Sequence, residues 1–361
     1  MRHVYKIVVF ALMVAGCTGF DLPAQTENQQ DASTNLYVVS TLAGTGVSGA
    51  SNGAGLDATF NSPCAVTLGP DGSPYILDWG NGIVRKMTID GVDSTVSTYA
   101  GNGVCANATF SSLSDIAVDA TGNIYIADSG NNMIYKIITS SSSCNVSILA
   151  GSGAAKDVDG TGSNAAFDGP EGLTVDASGN VYVTEWGGNK IRKVTPGGVV
   201  STIAGNGTAG HIDGTGMGAT FNEPTGIAVD TDGNLYVAEV GNNDIRKITP
   251  DGSVSTLAGS GIQALKDGIG TSAAFNQPFG LAIGPDGYLY VPDTTNNAVR
   301  KVSIPTGEVT TIAGSGEEGA ADGPAGQATF NGPVGVTVDA NGVIYVADQG
   351  NNKIRKITPV Y

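Results

Sequence analysis

One phrase recurs six times along this 361-residue chain, and it constrains the fold more than any other feature of the sequence. Each copy begins at a phenylalanine, and the copies follow one another at intervals of 50 to 57 residues: Phe60, Phe110, Phe167, Phe221, Phe275 and Phe330. Repeats of this length are typical of β-propellers and of solenoids, in which each copy forms one structural unit.

Within a repeat, apolar residues alternate with a period of two, which is typical of β-strands. The fourth repeat contains four short runs of this kind, which begin at Gly226, Leu235, Asp244 and Val254. Asp-Gly, Asn-Asn and Pro-Asp-Gly sequences separate the runs, and they favour turns because Gly and Asn tolerate positive φ and Pro fixes its own φ. Four short antiparallel strands form one propeller blade, so the sequence predicts an all-β, six-bladed β-propeller.

The two ends of the repeat region complement each other. The sixth repeat reaches Tyr361 without a fourth strand, whereas an additional copy of that strand, Val38-Val-Ser-Thr-Leu-Ala-Gly, precedes the first repeat. We therefore expect the N-terminal strand to complete the last blade and close the ring, since closure leaves no terminal blade with an unpaired sheet. The predicted propeller domain covers residues 37–361.

The first residues have the features of a targeting segment. Arg2 and Lys6 precede a short apolar run, and small residues lead to Cys17. This pattern resembles a bacterial lipoprotein signal, with a signal peptide at 1–16, lipidation at Cys17 and a flexible tether over 17–36. It predicts an exported protein anchored by lipid in the cell envelope, at the outer membrane or the cell surface. The alternatives are an ordinary secretory signal or a signal anchor.

The charge balance restricts the partners. The chain carries 17 basic and 33 acidic residues, and removal of Arg2 and Lys6 leaves 15 basic residues. A surface this acidic repels nucleic acid and anionic lipid headgroups. We therefore expect no nucleic-acid partner and membrane attachment only through the anchor, whereas cationic partners and divalent cations stay open.

Three phrases of the repeats resemble NHL repeats. They are Pro-x-Gly followed by an aliphatic residue and Ala-Val-Asp, then Gly-Asn-x-Tyr-Val-Ala-Asp, and Asn-Asn-x-Ile-Arg-Lys-Ile. The Val-Ser-Thr-Ile-Ala-Gly strand and the Asp-Gly-x-Gly linker are similar to those of exported bacterial members and teneurin-type NHL domains. The resemblance implies the six-bladed fold, and we expect a monomer. It implies little about function, because such propellers include protein-binding, glycan- or RNA-binding and enzymatic members.

Residues that recur in every blade favour a structural role. A carboxylate ends the second predicted strand of each blade, at Asp78, Asp128, Glu185, Glu239, Asp293 and Asp348. An arginine follows in five blades, at Arg85, Arg192, Arg246, Arg300 and Arg355, whereas Tyr135 replaces it in blade two. We interpret the carboxylates as acceptors for N–H groups of the adjacent turn, in which Asn adopts the left-handed conformation, and the arginines as braces. The alternative is an acidic ring for a cation or a basic partner.

Positions at which the repeats differ are better candidates for recognition. One series directly follows the carboxylate: Trp79, Ser129, Trp186, Val240, Thr294 and Gln349. A second series lies near the predicted mouth of the central channel: Cys64, Ser114, Glu171, Thr225, Phe279 and Val334. Beside the second series, Asp115 replaces a Gly of the repeat. We predict a binding face that contains Trp79, Trp186, Phe279, Glu171, Asp115 and Gln349. Aromatic rings beside carboxylates and amides suit a sugar or a peptide, and the alternative is that the indoles only cover blade edges.

Cysteines and linker acids suggest two further sites. Cys64 and Cys105 are expected on one face and could form a disulfide, whereas Cys144 is expected on the opposite face and unpaired. The linkers carry one carboxylate each, at Asp159, Asp213, Asp267 and Asp322, without the alternating oxygen ligands of a calcium loop. We interpret these linkers as structured turns and predict no cofactor, with a weak Ca²⁺ site as the alternative.

The function that these features favour is a surface-tethered scaffold that binds a protein or glycan partner through its variable loop face. The alternative is a divalent-metal-dependent, lactonase-like hydrolase or lyase with a carboxylate site in the central channel. Lyases that resemble this chain use several histidines, but only His3 and His211 are present, and His3 lies in the signal. Gluconolactonase-like propellers use carboxylates instead, and Glu171 and Asp115 could contribute to such a site. A purely structural envelope component is a third alternative.

Overall fold

The computed structural model describes residues 36–91, 93–105, 109–140 and 143–360. The predicted signal peptide, Cys17 and the tether up to residue 35 lie outside the described residues. Within them, six antiparallel sheets confirm the predicted six-bladed β-propeller. The helices of the described part are single 3₁₀ turns, and none of them is long or apolar enough to cross a membrane.

Each blade contains four antiparallel strands, which we call a to d from the central channel outward, in chain order except in blade six. Strand a covers Pro63–Leu68, Leu113–Val118, Pro170–Val175, Pro224–Val229, Ala282–Ile283 and Pro333–Val338. Strand b covers Pro74–Asp78, Ile124–Asp128, Val181–Glu185, Leu235–Glu239, Tyr288–Asp293 and Ile344–Asp348. Strand c covers Ile83–Asp90, Met133–Ser140, Lys190–Val194, Asp244–Ile248, Ala298–Ser303 and Lys353–Pro359. Strand d covers Asp93–Ala100, Ser143–Ala150, Val199–Ala204, Ser253–Ala258, Glu308–Ala313 and, for blade six, Tyr37–Ala43. The 3₁₀ turns are Gly55–Asp57, Trp79–Asn81, Gly162–Asn164, Gly216–Gly218, Gly270–Ser272, Thr294–Asn296 and Gln349–Asn351.

The N-terminal strand completes the last blade, as the sequence predicts. Strand Tyr37–Ala43 pairs antiparallel with Lys353–Pro359, from Tyr37 opposite Pro359 to Ala43 opposite Ile354. The first and last described parts of the chain therefore share one sheet, which ties the ends of the propeller together.

Five blades carry a fifth strand that the sequence reasoning missed. The linker between blades runs along the outer edge of the next blade and pairs with its strand d, as where Gly214 lies opposite Val254 and Thr215 opposite Ser253. The other linker strands are Gly53–Ala54, Gly160–Thr161, Gly268–Ile269 and Gly323–Pro324. Two residues are too few to show a period of two, so only the pairing in three dimensions reveals this strand.

Among the described residues, blade two has no fifth strand, and a disulfide joins its strand d to the preceding linker instead. Its sheet has four strands, and Cys105 of the preceding linker is bonded to Cys144 of its strand d, with Cα atoms 5.1 Å apart. The predicted Cys64–Cys105 disulfide is therefore wrong, and so is the prediction that Cys144 stays unpaired. The error has a physical reason. The repeat pattern predicts that the linker with Cys105 stays on one face of the ring. In the structure, linkers run along the outer edge of the next blade to the beginning of its strand d, where Cys144 lies.

The recurring carboxylates and arginines form a buried brace in five of the six blades, which confirms that they have a structural role. In blade one, Arg85 donates to Asp78 at 2.8 Å, and its guanidinium lies 5.1 Å from the centre of the Phe60 ring. Asp78 also accepts the Asn61 backbone N–H at 2.7 Å and the Asn81 side-chain amide at 2.8 Å, so its backbone partner lies after the phenylalanine and not, as predicted, in its own b–c turn. In blades three to six, the buried arginine also binds an aspartate of the linker, at 2.6–2.8 Å. These linker aspartates are Asp159, Asp213, Asp267 and Asp322. These linker carboxylates are thus partners of guanidinium groups, as expected of structured turns.

The asparagines of the b–c turns connect neighbouring blades. Asn132, Asn189, Asn243, Asn297 and Asn352 have φ between 50° and 56°, as predicted for the left-handed conformation. The side-chain oxygen of each accepts a backbone N–H of the next blade, and the Asn352 bond to Ser62 at 2.7 Å joins blade six to blade one. Gly82 takes the left-handed position in blade one and has no side chain to make this bond.

Glycines in strand a allow the inner strands of successive blades to approach. Gly226 donates its N–H to the Phe279 carbonyl oxygen at 2.8 Å, and a Cβ atom at Gly226 would lie only 2.8 Å from the backbone of Gly280 and Leu281. Gly172, Gly280 and Gly335 make equally close approaches. The repeated Gly therefore sets the width of the channel in blades three to six.

We expect Gly226→Ala to lower the free energy of unfolding by about 1–3 kcal/mol, because two backbones must move apart to admit the methyl group. Urea denaturation of the purified protein measures this change. The matched control is Gly218→Ala, since a Cβ at Gly218 has no atom within 4 Å. Equal stabilities of the two variants would contradict the close approach.

Candidate functional site

A cavity of about 300 Å³ lies at the mouth of the central channel, where strands a begin and strands b end. Its lining comes mainly from the two variable series that the sequence singles out. The first series supplies Trp79, Ser129 and Gln349, and the second supplies Cys64, Ser114, Glu171, Phe279 and Val334. Sequence reasoning missed Ser112 and Leu113, which complete the wall; they lie directly before and at the first position of strand a in blade two, outside both variable series.

The predicted site residues have different positions relative to this mouth cavity. Trp79, Glu171, Phe279 and Gln349 line it directly. Asp115 lies below, in a narrow extension of about 30 Å³ that shares Glu171 and Phe279 with the mouth cavity. Trp186 does not line either space; its ring packs against Phe279, with the ring centres 6.3 Å apart. The structure therefore brings five of these residues to the channel and packs Trp186 against Phe279, outside the lining of both spaces.

The channel wall departs from the repeat in blades one and two. Where the other blades have the strand-a Gly, these blades carry Ala65 and Asp115. The Asp115 carboxylate accepts the N–H of Ile116 at 2.8 Å and of Leu173 in blade three at 2.9 Å. Asp115 thus replaces a close backbone approach by a side-chain bridge between blades.

The two acidic groups of the channel have strongly perturbed ionisation. Burial raises the pKa of Asp115 to about 7, although its two backbone hydrogen bonds lower it in part. Burial likewise raises the pKa of Glu171 to about 7; a hydrogen bond from Ser114 lowers that pKa and the Asp115 charge raises it. Near pH 7 each of these carboxyl groups is therefore partly protonated and partly charged.

Hydroxyl groups and an indole also line the mouth cavity. Trp79 is 47% exposed, and its Nε1–H donates to the Ser112 hydroxyl at 3.0 Å, which fixes the orientation of the ring. The Ser114 and Ser129 hydroxyl groups form a hydrogen bond with each other at 2.7 Å. In blade four, Thr225 occupies the position of Ser114, but it is buried and donates to the Phe279 carbonyl oxygen at 3.0 Å. Hydrogen-bonding groups of the mouth cavity are therefore concentrated on blades one to three and six.

Cys64 is buried in the cavity wall as a free thiol. Its Sγ–H points to the Leu113 carbonyl oxygen at 3.4 Å. Burial raises the pKa of this thiol well above its usual value, and the nearby Glu171 and Asp115 charges raise it further. Since the thiolate is the nucleophilic form, Cys64 acts here as a small apolar wall residue.

The described residues contain no cluster of potential metal ligands, and His211 lies away from the mouth cavity. In the described ranges, no three His, Cys, Asp or Glu side chains come together as a group that could hold a metal ion. His211 lies in a linker at the outer edge of blade four and forms an ion pair with Asp244, so it is not part of the cavity. The Asp244 carboxylate raises the pKa of His211, because it stabilises the imidazolium.

Family models assign the repeats. The model described as the teneurin NHL domain matches residues 37–213, and the NHL repeat matches residues 221–248 and 330–357. The chain belongs to the NHL-repeat β-propellers. The resemblance seen in the repeated phrases is thus confirmed, and both matches fall on the sheets described above.

Two curated relatives match this NHL propeller over about half of its length. The chloroplastic protein Suppressor of Quenching 1 of Arabidopsis thaliana is 29% identical over 219 residues, which are 56% of this chain and 21% of that protein. Teneurin-3 of Danio rerio is 28% identical over 229 residues, which are 55% of this chain and 8% of that protein. The match covers only a small part of each relative, so it concerns the propeller alone.

Solved structures share the fold at lower identity. An auxiliary nutrient binding protein from Bacteroides thetaiotaomicron superposes with a TM-score of 0.70 and 20% identity, over 89% of this chain and 76% of that one. The virginiamycin B lyase of Staphylococcus aureus superposes with a TM-score of 0.55 and 17% identity, over 90% of this chain and 100% of that one. One fold thus serves a binding protein and an enzyme, and at these identities the likeness shows the fold alone.

Proposed function

We propose that this NHL propeller is an exported binding protein that recognises a protein or glycan partner at the mouth of its channel. The main support for this proposal is the set of residues that line the mouth cavity. Eight of these ten residues belong to the two series of positions at which the repeats differ. Positions that build the blades are the same in most repeats, whereas positions that meet a ligand need not be.

The composition of the cavity supports recognition of a polar group with some apolar surface. Trp79 and Phe279 supply aromatic area, and Glu171, Gln349 and the serines supply hydrogen-bonding groups. A volume of about 300 Å³ is at the small end of ligand sites, so it admits one head group or one sugar ring rather than a whole chain. The rest of a larger partner would lie on the surrounding loops.

Two comparisons are compatible with this role. Teneurin propellers are relatives in sequence, and a Bacteroides protein described as nutrient binding shares the fold. The targeting pattern at residues 1–17 adds an exported, lipid-anchored location to the proposal. An anchored rigid disc with one variable face suits the capture of a partner outside the cell.

Tryptophan fluorescence tests the binding face, because the chain has only Trp79 and Trp186. Titration with envelope glycans and peptides should give a saturable change for the ligand. We expect Trp79→Ala to weaken that binding about tenfold or more, since exposed aromatic residues at the centre of an interface often dominate affinity. The control is Tyr288→Ala, which removes another exposed aromatic ring at the far end of strand b. If Trp79→Ala binds like the unaltered protein, the mouth is not the site.

The two channel acids favour an enzymatic alternative. Two carboxyl groups with pKa values of about 7 lie together in the channel, as a general acid and base would. A divalent-metal-dependent, lactonase-like hydrolase or lyase would use Glu171 and Asp115, but Asp115 already accepts two backbone N–H groups. Hydrolysis of a lactone panel that requires added Ca²⁺ or Zn²⁺ and is lost in Glu171→Gln would replace the binding proposal by this one.

A further inference from the structure

The mouth cavity and its extension contain acidic groups without basic ones. Glu171 lines both spaces and Asp115 lines the lower one, whereas no Lys, Arg or His belongs to the described lining of either space. The five arginines of the blades are each bound to a carboxylate inside the sheet, as Arg192 is to Glu185 at 2.7 Å. The channel acids therefore have no cationic partner within the cavity.

Aromatic surface lies at the same mouth. Trp79 is half-exposed and held in place by Ser112, and Phe279 is supported from behind by Trp186. The face of an aromatic ring attracts a cation, and the attraction grows when the site excludes water. A desolvated carboxylate near two aromatic rings is thus complementary to an organic cation.

We propose that the mouth cavity binds a positively charged amine head group, with Glu171 as its counter-ion and Trp79 and Phe279 as its aromatic walls. This inference rests on the proposed binding function and names the ligand chemistry of that same site. An organic ammonium fits better than a metal ion, because a metal needs several hard ligands and the described residues offer no group of three acidic, His or Cys side chains. It also fits better than a neutral sugar, which offers no positive charge to Glu171.

The head group could belong to a free small amine or to a lysine side chain on a partner protein. Both present the same ammonium chemistry to Glu171. A free amine would bind by itself, whereas a lysine on a partner would gain further contacts from the loops around the mouth. Choline and a Gly-Lys-Gly peptide with blocked ends therefore serve as the two probes.

The decisive experiment compares a cation with its uncharged isostere. Calorimetric titration of the purified protein with choline should give saturable binding at pH 8, and 3,3-dimethyl-1-butanol, which lacks the charge, should bind at least about tenfold more weakly. Between pH 8 and pH 6 we expect choline binding to weaken about tenfold, because a carboxyl group with a pKa near 7 loses most of its charge over this range. Equal affinity for choline and its isostere would overturn the proposal.

Glu171→Gln keeps the shape of the side chain and removes its charge. We expect this variant to bind choline about tenfold more weakly at pH 8 and to lose most of the dependence on pH, since the counter-ion is absent and only the Asp115 carboxyl group of the extension still has a pKa of about 7. Glu308→Gln makes the same chemical change at an exposed position outside the cavity and should bind like the unaltered protein. If both variants keep the pH dependence, Glu171 is not the counter-ion and the proposal is overturned.

Comparison of the lysine peptide with choline distinguishes a lysine on a partner from a free amine. The same titrations distinguish failure of the amine inference from failure of the proposed binding function. Tighter binding of the lysine peptide than of choline, abolished by acetylation of the lysine, would support a lysine-presenting partner, and the reverse order would support a free amine. Failure of both amines, while a neutral glycan still binds in a Trp79-dependent manner, would overturn the amine inference and leave the proposed binding function standing. Failure of every ligand to respond to Trp79→Ala would overturn the proposed function itself.

Discussion

Replacing Arg300 by methionine is expected to lower the free energy of unfolding by about 3–5 kcal/mol, because it leaves buried charge without a partner. The guanidinium of Arg300 is fully buried and lies 2.6 Å from Asp293 and 2.7 Å from Asp267. It also donates to the carbonyl oxygens of Ala274 and Lys266 at 3.0 and 2.9 Å. One side chain therefore connects strand b, strand c, the linker and the segment before strand a.

The neighbouring residue in the same strand provides the matched control. Lys301 also pairs with a carboxylate, Asp286 at 2.8 Å, but both side chains of this pair are partly exposed, by 20% and 37%. Since exposed ion pairs contribute at most about 1 kcal/mol, Lys301→Met should change stability little. Urea denaturation of both variants measures the difference. Similar losses in Arg300→Met and Lys301→Met would show that the buried brace is not a main source of stability.

A double variant separates loss of the brace from burial of an unpaired charge. Adding Asp293→Asn to Arg300→Met removes the stranded charge but keeps an oxygen for the Asn276 N–H, which Asp293 accepts at 2.7 Å. The double variant should be less destabilised than the sum of the two single variants. Blade two shows that a blade can form without the arginine: Tyr135 replaces it there, and Asp128 keeps its carboxylate, which accepts N–H groups from Ser111, Ser112 and Asn131.

Reduction of the Cys105–Cys144 disulfide is expected to lower the free energy of unfolding by about 2–4 kcal/mol, since the bond closes a loop between cysteines 39 residues apart. The bond stands where the other blades have a paired linker strand. Blade one also has Gly82 at the position where the other blades have an asparagine, so the asparagine side-chain hydrogen bond to the next blade is missing between blades one and two. The loss should therefore appear as unfolding at lower urea concentration in the presence of dithiothreitol.

Two variants identify the responsible cysteines. The double variant Cys105→Ser, Cys144→Ser should be as unstable as the reduced protein and should not respond to dithiothreitol. Cys64→Ala, which alters the buried free thiol, should still respond. If dithiothreitol leaves the unaltered protein unchanged while Cys105 and Cys144 are shown to be reduced, the bond does not contribute as expected.

The sequence determined the blades and their number because these depend on short-range signals. Each strand is encoded by a run with a period of two, and each turn by Gly, Asn and Pro at fixed offsets. The copy of strand d at Val38 predicted completion of blade six, and its pairing with Lys353–Pro359 confirms this. The repeated Asp78 and Arg85 pattern also indicated a structural role correctly, since a feature required by every blade serves the blade.

The composition of the candidate site was predicted only in part. Variation between repeats singled out Trp79, Glu171, Phe279 and Gln349, which the fold then placed around one cavity. The same reasoning gave no reason to place Trp186 behind Phe279 rather than in the wall, and it missed Ser112. A list of variable positions does not contain the distances between blades.

Tertiary structure alone decided which of these residues meet and which cysteines bond. Glu171 and Gln349 belong to blades three and six, 178 positions apart in sequence, and only the curvature of the ring brings both to the channel mouth. Cys105 reaches Cys144 because linkers descend along the outer edge of the next blade, a path that the two-residue linker strands do not reveal in sequence. Local periodicity specifies strands and turns, whereas the approach of distant residues follows from how six sheets pack around one axis.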